Sequence, residues 1–152
     1  MMKYLPLLLL LLLFSCGNNH VVFVEKDLPD NNIWLYADFF NASFDVERNV
    51  PYDIYFGLEH TGDYPYENIY LRITDDFKEK KDTDIVSINL SNPYGIWYGK
   101  KSGDIYSFNT LLRKSFKFDK PGKHSIKIEQ FTRKDSLEGV KAIKFYIDSA
   151  GE

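Results

Sequence analysis

One cysteine stands in the chain, and its setting points to acyl chemistry more than to catalysis. Cys16 follows Leu13-Phe14-Ser15. A small residue directly before the thiol and a leucine three before it match a lipobox, in which the sulfur receives a diacylglyceryl group before cleavage. Phe14 is bulkier than the small residue usual at its position. The alternative is an ordinary secretory signal ahead of an unmodified thiol, an exposed reactive group that an oxidising compartment disfavours. With a single cysteine no internal disulfide can form. Two or three acyl chains would hold the protein firmly, because each buried methylene contributes about 0.8 kcal/mol and one chain alone holds only marginally.

The histidines and carboxylates offer less. His20, His60 and His124 have no second ligand at a metal-site spacing. His124 is in step with Ile126 and Ile128, as a partly buried strand residue would be. Asp75-Asp76 and Asp82-x-Asp84 supply oxygens that suit calcium, but Lys78, Lys80 and Lys81 between them fit a solvated loop better than an ion cage. There is no Gly-x-Ser-x-Gly elbow and no phosphate-cradling glycine loop. A glycosidase pair would be assembled by the fold, and nothing local singles one out. The expectation is a non-catalytic domain without metal or cofactor.

Two aromatic clusters remain. Tyr64-Pro65-Tyr66-Glu67-Asn68 leads into an apolar strand, and Gly95-Ile96-Trp97-Tyr98-Gly99 sets aromatics between glycines. Tyr64, Tyr66, Trp97 and Tyr98 would make a stacking surface for sugar or protein if exposed. If buried, they would plug the end of a core while the glycines shape the turns, and that reading is favoured because large aromatics dominate cores.

The elements that must carry these residues follow from hydrophobic spacing. Residues 1–15 hold Lys3 and the apolar run from Leu5 to Phe14, a signal peptide too short to span a bilayer. Residues 16–19 form a lipidated tether, and residues 20–152 the folded domain. The mature chain carries 18 basic and 22 acidic residues, a formal charge of −4 that argues against a nucleic-acid partner. Within the domain apolar residues alternate through 52–58, 69–73, 86–90, 126–128 and 143–147, with further strands expected at 20–24, 42–46 and 105–118. Turn chemistry separates them, as in Asp119-Lys120-Pro121-Gly122. The expected fold is all-β with little helix: a two-sheet antiparallel sandwich, jelly-roll-like. Residues 75–84 read as a solvated loop or single turn, and 109–114 as one short helical turn.

At these clusters the chain resembles the gliding-motility lipoprotein family GldH. The carriers are the signal with Cys16, Trp34 with Asp38, the 52–58 strand, Asp63-Tyr64-Pro65-Tyr66-Glu67-Asn68 and Asp82-Thr83. Gly95-Ile96-Trp97-Tyr98-Gly99, Gly103-Asp104-Ile105-Tyr106, Gly122, Gln130 to Arg133, and Leu137-Glu138-Gly139-Val140 complete the series in the family's order. His60 departs from it, standing where arginine is common. Thr132 and the basic ending Lys141-Ala142-Ile143-Lys144 also differ, and all three departures are expected at the surface. The resemblance implies a part in the gliding machinery, whose components overlap functionally with the type IX secretion apparatus. It also implies envelope-protein partners, no enzymatic activity, and lipid attachment at Cys16. No acidic cluster follows Cys16, which by resemblance to lipoprotein sorting signals favours the periplasmic face of a membrane.

Overall fold

Alternation of apolar and polar side chains becomes strand wherever it was regular. The computed structural model describes residues 20–151. Strand β1 spans Val22–Asp27, β3 Phe40–Val46, β4 Tyr52–Thr61, β5 Asn68–Asp75, β6 Asp82–Asn89, β9 Gly122–Gln130 and β11 Val140–Ser149. On β4 the side chains of Ile54, Phe56 and Leu58 are fully buried, while Asp53, Tyr55 and Glu59 face outward and are half-buried. Successive residues of a strand point to opposite faces, so one regular pattern buries one complete row.

The strands form two antiparallel sheets. One has the order β1-β11-β4-β8-β7, where β7 is Lys100–Ser102 and β8 Ile105–Phe116; the other has the order β3-β9-β5-β6. Their inner faces share a core in which the Phe145 ring of the first sheet lies 5.4 Å from Phe44 of the second. The expected two-sheet antiparallel sandwich is therefore the observed fold, and no helix forms among the described residues.

Three features differ from the expectation. Two three-residue strands, β2 (Ile33–Leu35) and β10 (Ser136–Glu138), pair as a separate ribbon. In it Trp34 and Leu137 are direct partners, and both are buried. Residues 109–114 are not a helical turn but the middle of β8. Adjacent Leu111 and Leu112 break the alternation there because the β4–β8 register slips at two places around Ile54. Bulges of this kind admit an extra residue without ending the strand. Residues 75–84, finally, keep a loop only over 76–81, since Asp75 ends β5 and Asp82 begins β6. The intervening loop is pinned by Phe77, buried against Phe118 at 5.0 Å and Phe44 at 5.7 Å.

Part-buried ion pairs tie strands together, one between the two sheets and one within the second sheet. Arg113 of β8 reaches across to Asp75 of β5 at 2.7 Å, and Arg72 grips both carboxylate oxygens of Glu129 at 3.0 and 3.1 Å. The two-pronged guanidinium suits this geometry. The Arg72 bonds hold the Glu129 carboxyl below its usual range, outweighing the effect of burial.

Candidate binding surfaces

The four aromatic residues singled out from sequence divide in the structure: Tyr64 and Trp97 turn inward, whereas Tyr66 and Tyr98 stay exposed. β4 ends at Thr61, and the chain turns so that the Tyr64 amide donates to the Thr61 carbonyl. The turn drives Tyr64 into the core at 3% exposure, where its hydroxyl donates to the Asn68 carbonyl at 3.1 Å. Burial raises its phenol above the ordinary tyrosine value. Tyr64 is therefore not a surface residue, and a stacking platform cannot include it. Trp97 is half-buried, its ring 4.7 Å from His60 and 6.1 Å from Tyr64. Tyr66 and Tyr98 are exposed but separate: Tyr66 meets the edge of Tyr64 at 6.0 Å, and Tyr98 stacks on Phe108 at 6.1 Å. Tyr64 and Trp97 plug the end of the core, and the four aromatics do not make one continuous sugar-binding face.

Two glycines make this closure possible. Gly139 has φ of 79°, and a Cβ there would lie 2.8 Å from the backbone nitrogen and Cα of Tyr64. Its carbonyl accepts from the Thr61 amide at 2.8 Å. Gly99 has φ of 89°, and a Cβ there would lie 2.3 Å from the Ser107 carbonyl oxygen. Only glycine combines positive φ with such close backbone approach. The loop before it is shaped by Asn92, whose side-chain oxygen accepts from the amides of Tyr94 and Ile96.

His60 sits at the centre of this cluster and corrects an expectation. It is fully buried, not superficial, stacked on Tyr106 at 5.5 Å with 13° between the planes. Of the other departures, Ala142 and Ile143 are also fully buried, while Thr132, Lys141 and Lys144 are half-exposed. Nδ1 of His60 donates to the Thr61 carbonyl at 2.9 Å, whereas Nε2 has no partner among the described residues. Burial lowers its proton affinity below the ordinary histidine value, against a smaller opposing effect of the Thr61 bond. The unfolded chain then takes up the proton first. Stability is complete above the ordinary histidine range and drains as the pH falls from there toward the folded value. His60→Phe keeps the stacking and removes the proton site. Its urea midpoint should change less than wild type between about pH 7 and about pH 5.5, where an unperturbed histidine titrates. An unchanged difference would contradict a neutral, buried imidazole.

The carboxylates considered for calcium are engaged elsewhere. Asp75 pairs with Arg113, and Asp76 accepts from the Ser125 amide at 2.8 Å and hydroxyl at 2.7 Å. Asp82 lies 3.7 Å from Lys78, and Asp84 lies 3.8 Å from Arg113. No three of His, Cys, Asp and Glu converge as a metal ion would require among the described residues. His124 is buried with Nε2 2.7 Å from the Lys120 carbonyl oxygen and Nδ1 3.0 Å from that of Asp76. Cys16 lies outside the described residues.

Sequence reading missed a surface trench of about 580 Å³ lined by Tyr70, Ile85, Phe131, Thr132 and Arg133. Beside it a second hollow of about 320 Å³ adds Tyr36, Lys134 and Asp135. Buried Gln130 builds the turn that separates β9 from β10. Its amide donates to the Lys134 carbonyl at 2.8 Å, and its oxygen accepts from the Thr132 amide and hydroxyl. Arg133 is thereby held at φ of 63°, a left-handed conformation uncommon for a non-glycine residue. Arg72 lies over the Phe131 ring at 5.0 Å. The local clue was the segment Gln130 to Arg133; the trench itself needs β5 and β6 beside it.

Trp34 and Asp38 complete the structural roles, since the indole donates to the Asp38 carbonyl at 2.6 Å while the Asp38 carboxylate pairs with Lys26. The recurrent residues of the series thus act as joints of the fold, from the Trp34 ribbon to the Gly139 crossing. Comparison with known proteins agrees with that pattern. The family model described as GldH lipoprotein matches residues 21–147. The gliding motility lipoprotein GldH homolog of Christiangramia forsetii is 25% identical over 150 residues, covering 93% of this chain and 91% of that protein. A match that spans both sheets and the ribbon between Trp34 and Leu137 is a match of the whole described domain, and the chain belongs to the GldH lipoprotein family.

Proposed function

We propose that the protein is a non-catalytic assembly component of the gliding-motility machinery and the secretion apparatus associated with it, held by lipid on Cys16 at the periplasmic face of an envelope membrane. The observation that carries this reading is the match of a motility lipoprotein family along 21–147. The residues that the resemblance singles out support it by their positions. Gly99, Gly139, Gln130, Trp34 and Tyr64 hold turns and core together and do not converge on a reacting centre. A scaffold needs a rigid sandwich with partner surfaces, and a hydrolase would need a nucleophile or acid–base pair aimed at one point.

The test is photocrosslinking of the native lipoprotein in intact cells. Probes at Tyr70 and Arg133 should capture envelope proteins of the motility or secretion apparatus. Capture of none, together with turnover of any substrate by the purified protein, would overturn the reading.

The trench supports a second reading, polysaccharide binding, because Tyr70 in it and Tyr36 in the hollow beside it present exposed rings. In that case a glycan array should show binding that Tyr70→Ala abolishes while thermal stability is unchanged. Absence of glycan binding would remove this alternative.

A further inference from the structure

The outer face of the five-stranded sheet breaks the polar-outside rule in one row. Phe23 of β1 is the direct partner of Tyr146 on β11, Tyr146 of Tyr55 on β4, and Tyr55 of Leu111 on β8. Four adjacent strands therefore place one aromatic and aliphatic line across the face that water should meet. Tyr55 and Tyr146 stack at 4.7 Å with 8° between planes, and Phe23 lies 6.4 Å from Tyr146. The His20 ring packs onto the same line, 4.5 Å from Tyr146 and 5.6 Å from Phe23. Phe23 is 49% exposed, Leu111 42% and nearby Val21 49%. The next row along the strands is ordinary: Glu25, Lys144, Gly57 and Asn109. Single exposed apolar residues are common, but a contiguous line marks a surface meant to be covered.

The anchor identifies what covers it. His20 is four residues from Cys16, and four extended links reach at most about 14 Å. A lipid on Cys16 would hold the His20 end of this face within one short tether of the bilayer. Tyrosine suits that position, having an apolar ring and a polar tip. The charges around the row are already engaged. His20 meets Asp148 at 2.7 Å, Asp53 accepts from the Ser115 amide at 2.7 Å, and Lys144 lies between Glu59 and Glu25. Among the described residues these flanking charges are paired, so the contact inferred is with the interface itself.

We propose that the Phe23–Tyr146–Tyr55–Leu111 row rests on the headgroup region of the anchoring membrane, fixing the orientation of the domain and turning the four-stranded sheet and its trench away from the bilayer. The inference rests on lipid attachment at Cys16. Seating of this kind immerses apolar side chains by about 5–10 Å and owes little to salt-sensitive attraction.

The full lipidated chain is reconstituted into phosphatidylcholine vesicles containing a nitroxide lipid. Val21→Cys, Leu111→Cys and, on the opposite sheet, Ile85→Cys each carry an environment-sensitive fluorophore; the Cys16 thiol is consumed by its lipid and does not label. Quenching at Val21 and Leu111 should exceed that at Ile85 by at least about twofold, since only the first two sit at interface depth. The excess should persist at high salt, and Phe23→Ser should reduce it at Leu111. Equal quenching on the two faces, with the protein still floating with vesicles, overturns the orientation and leaves the anchor standing. A Leu111 label shielded equally with and without vesicles also overturns it, since a protein surface would then be the cover. A chain that neither floats nor incorporates a fatty-acid label overturns the anchor and the orientation together.

Discussion

Cys16→Ser should move the protein wholly from the membrane to the soluble fraction, or leave an uncleaved precursor, and abolish fatty-acid labelling. A serine hydroxyl cannot form the thioether that joins the lipid, and each acyl methylene lost from the bilayer removes about 0.8 kcal/mol of binding. The fold should be unaffected. The first strand begins at Val22, and the buried core runs from Leu28 to Ile147. The unfolding free energy should therefore stay within about 0.5 kcal/mol of wild type, the range of surface changes. Envelope fractionation with a fatty-acid analogue decides the matter: native protein that takes up no label and washes off with salt would contradict lipid attachment.

Phe145→Ala should cost about 3–5 kcal/mol, the usual range for emptying an aromatic core site. Phe145 is fully buried, paired in register with Val24 on one side and Phe56 on the other. Its ring also meets Phe44 across the sandwich at 5.4 Å, so the cavity would open both sheets at once. Much of the stability of a domain of this size, typically 5–15 kcal/mol, rests on such contacts. Urea melts check this, and a loss below about 1 kcal/mol would mean that the site collapses freely or is already loose.

The regular strands were readable because a period of two survives in them, as at Ile143, Phe145 and Ile147. Where a local device interrupts the period, the reading failed. The bulges of β8 set Leu111 and Leu112 side by side, which mimics helical spacing. The lysines and aspartates around Phe77 concealed its role as a core anchor. Strands of three residues, β2 and β10, are too short to show any period; the pairing of Trp34 with Leu137 joins segments a hundred residues apart. Burial of His60 depends on the close crossing of Gly139 over the Tyr64 turn, a tertiary event. The inward packing of Tyr64 and Trp97 was legible, since glycines flanking Trp97 and Tyr98 already implied shaped turns. The trench and the Phe23 row were not. Each is assembled from strands distant in sequence, and register, not composition, aligns Phe23 with Tyr146 and Tyr55 with Leu111.

Deletion of the gene, with complementation by the full chain, tests the central claim most directly. The deletion strain should lose spreading motility or, in a cell that does not glide, delivery of its surface proteins, and the wild-type chain should restore it. Asp82→Ala, Asp84→Ala and Asp104→Ala proteins that fold and enter the complex should restore it too, because a scaffold acts through its surfaces and not through a reacting carboxylate. A deletion strain that spreads and secretes normally would contradict a part in the machinery. A folded, complex-bound Asp104→Ala protein that fails to restore the phenotype would contradict the non-catalytic role.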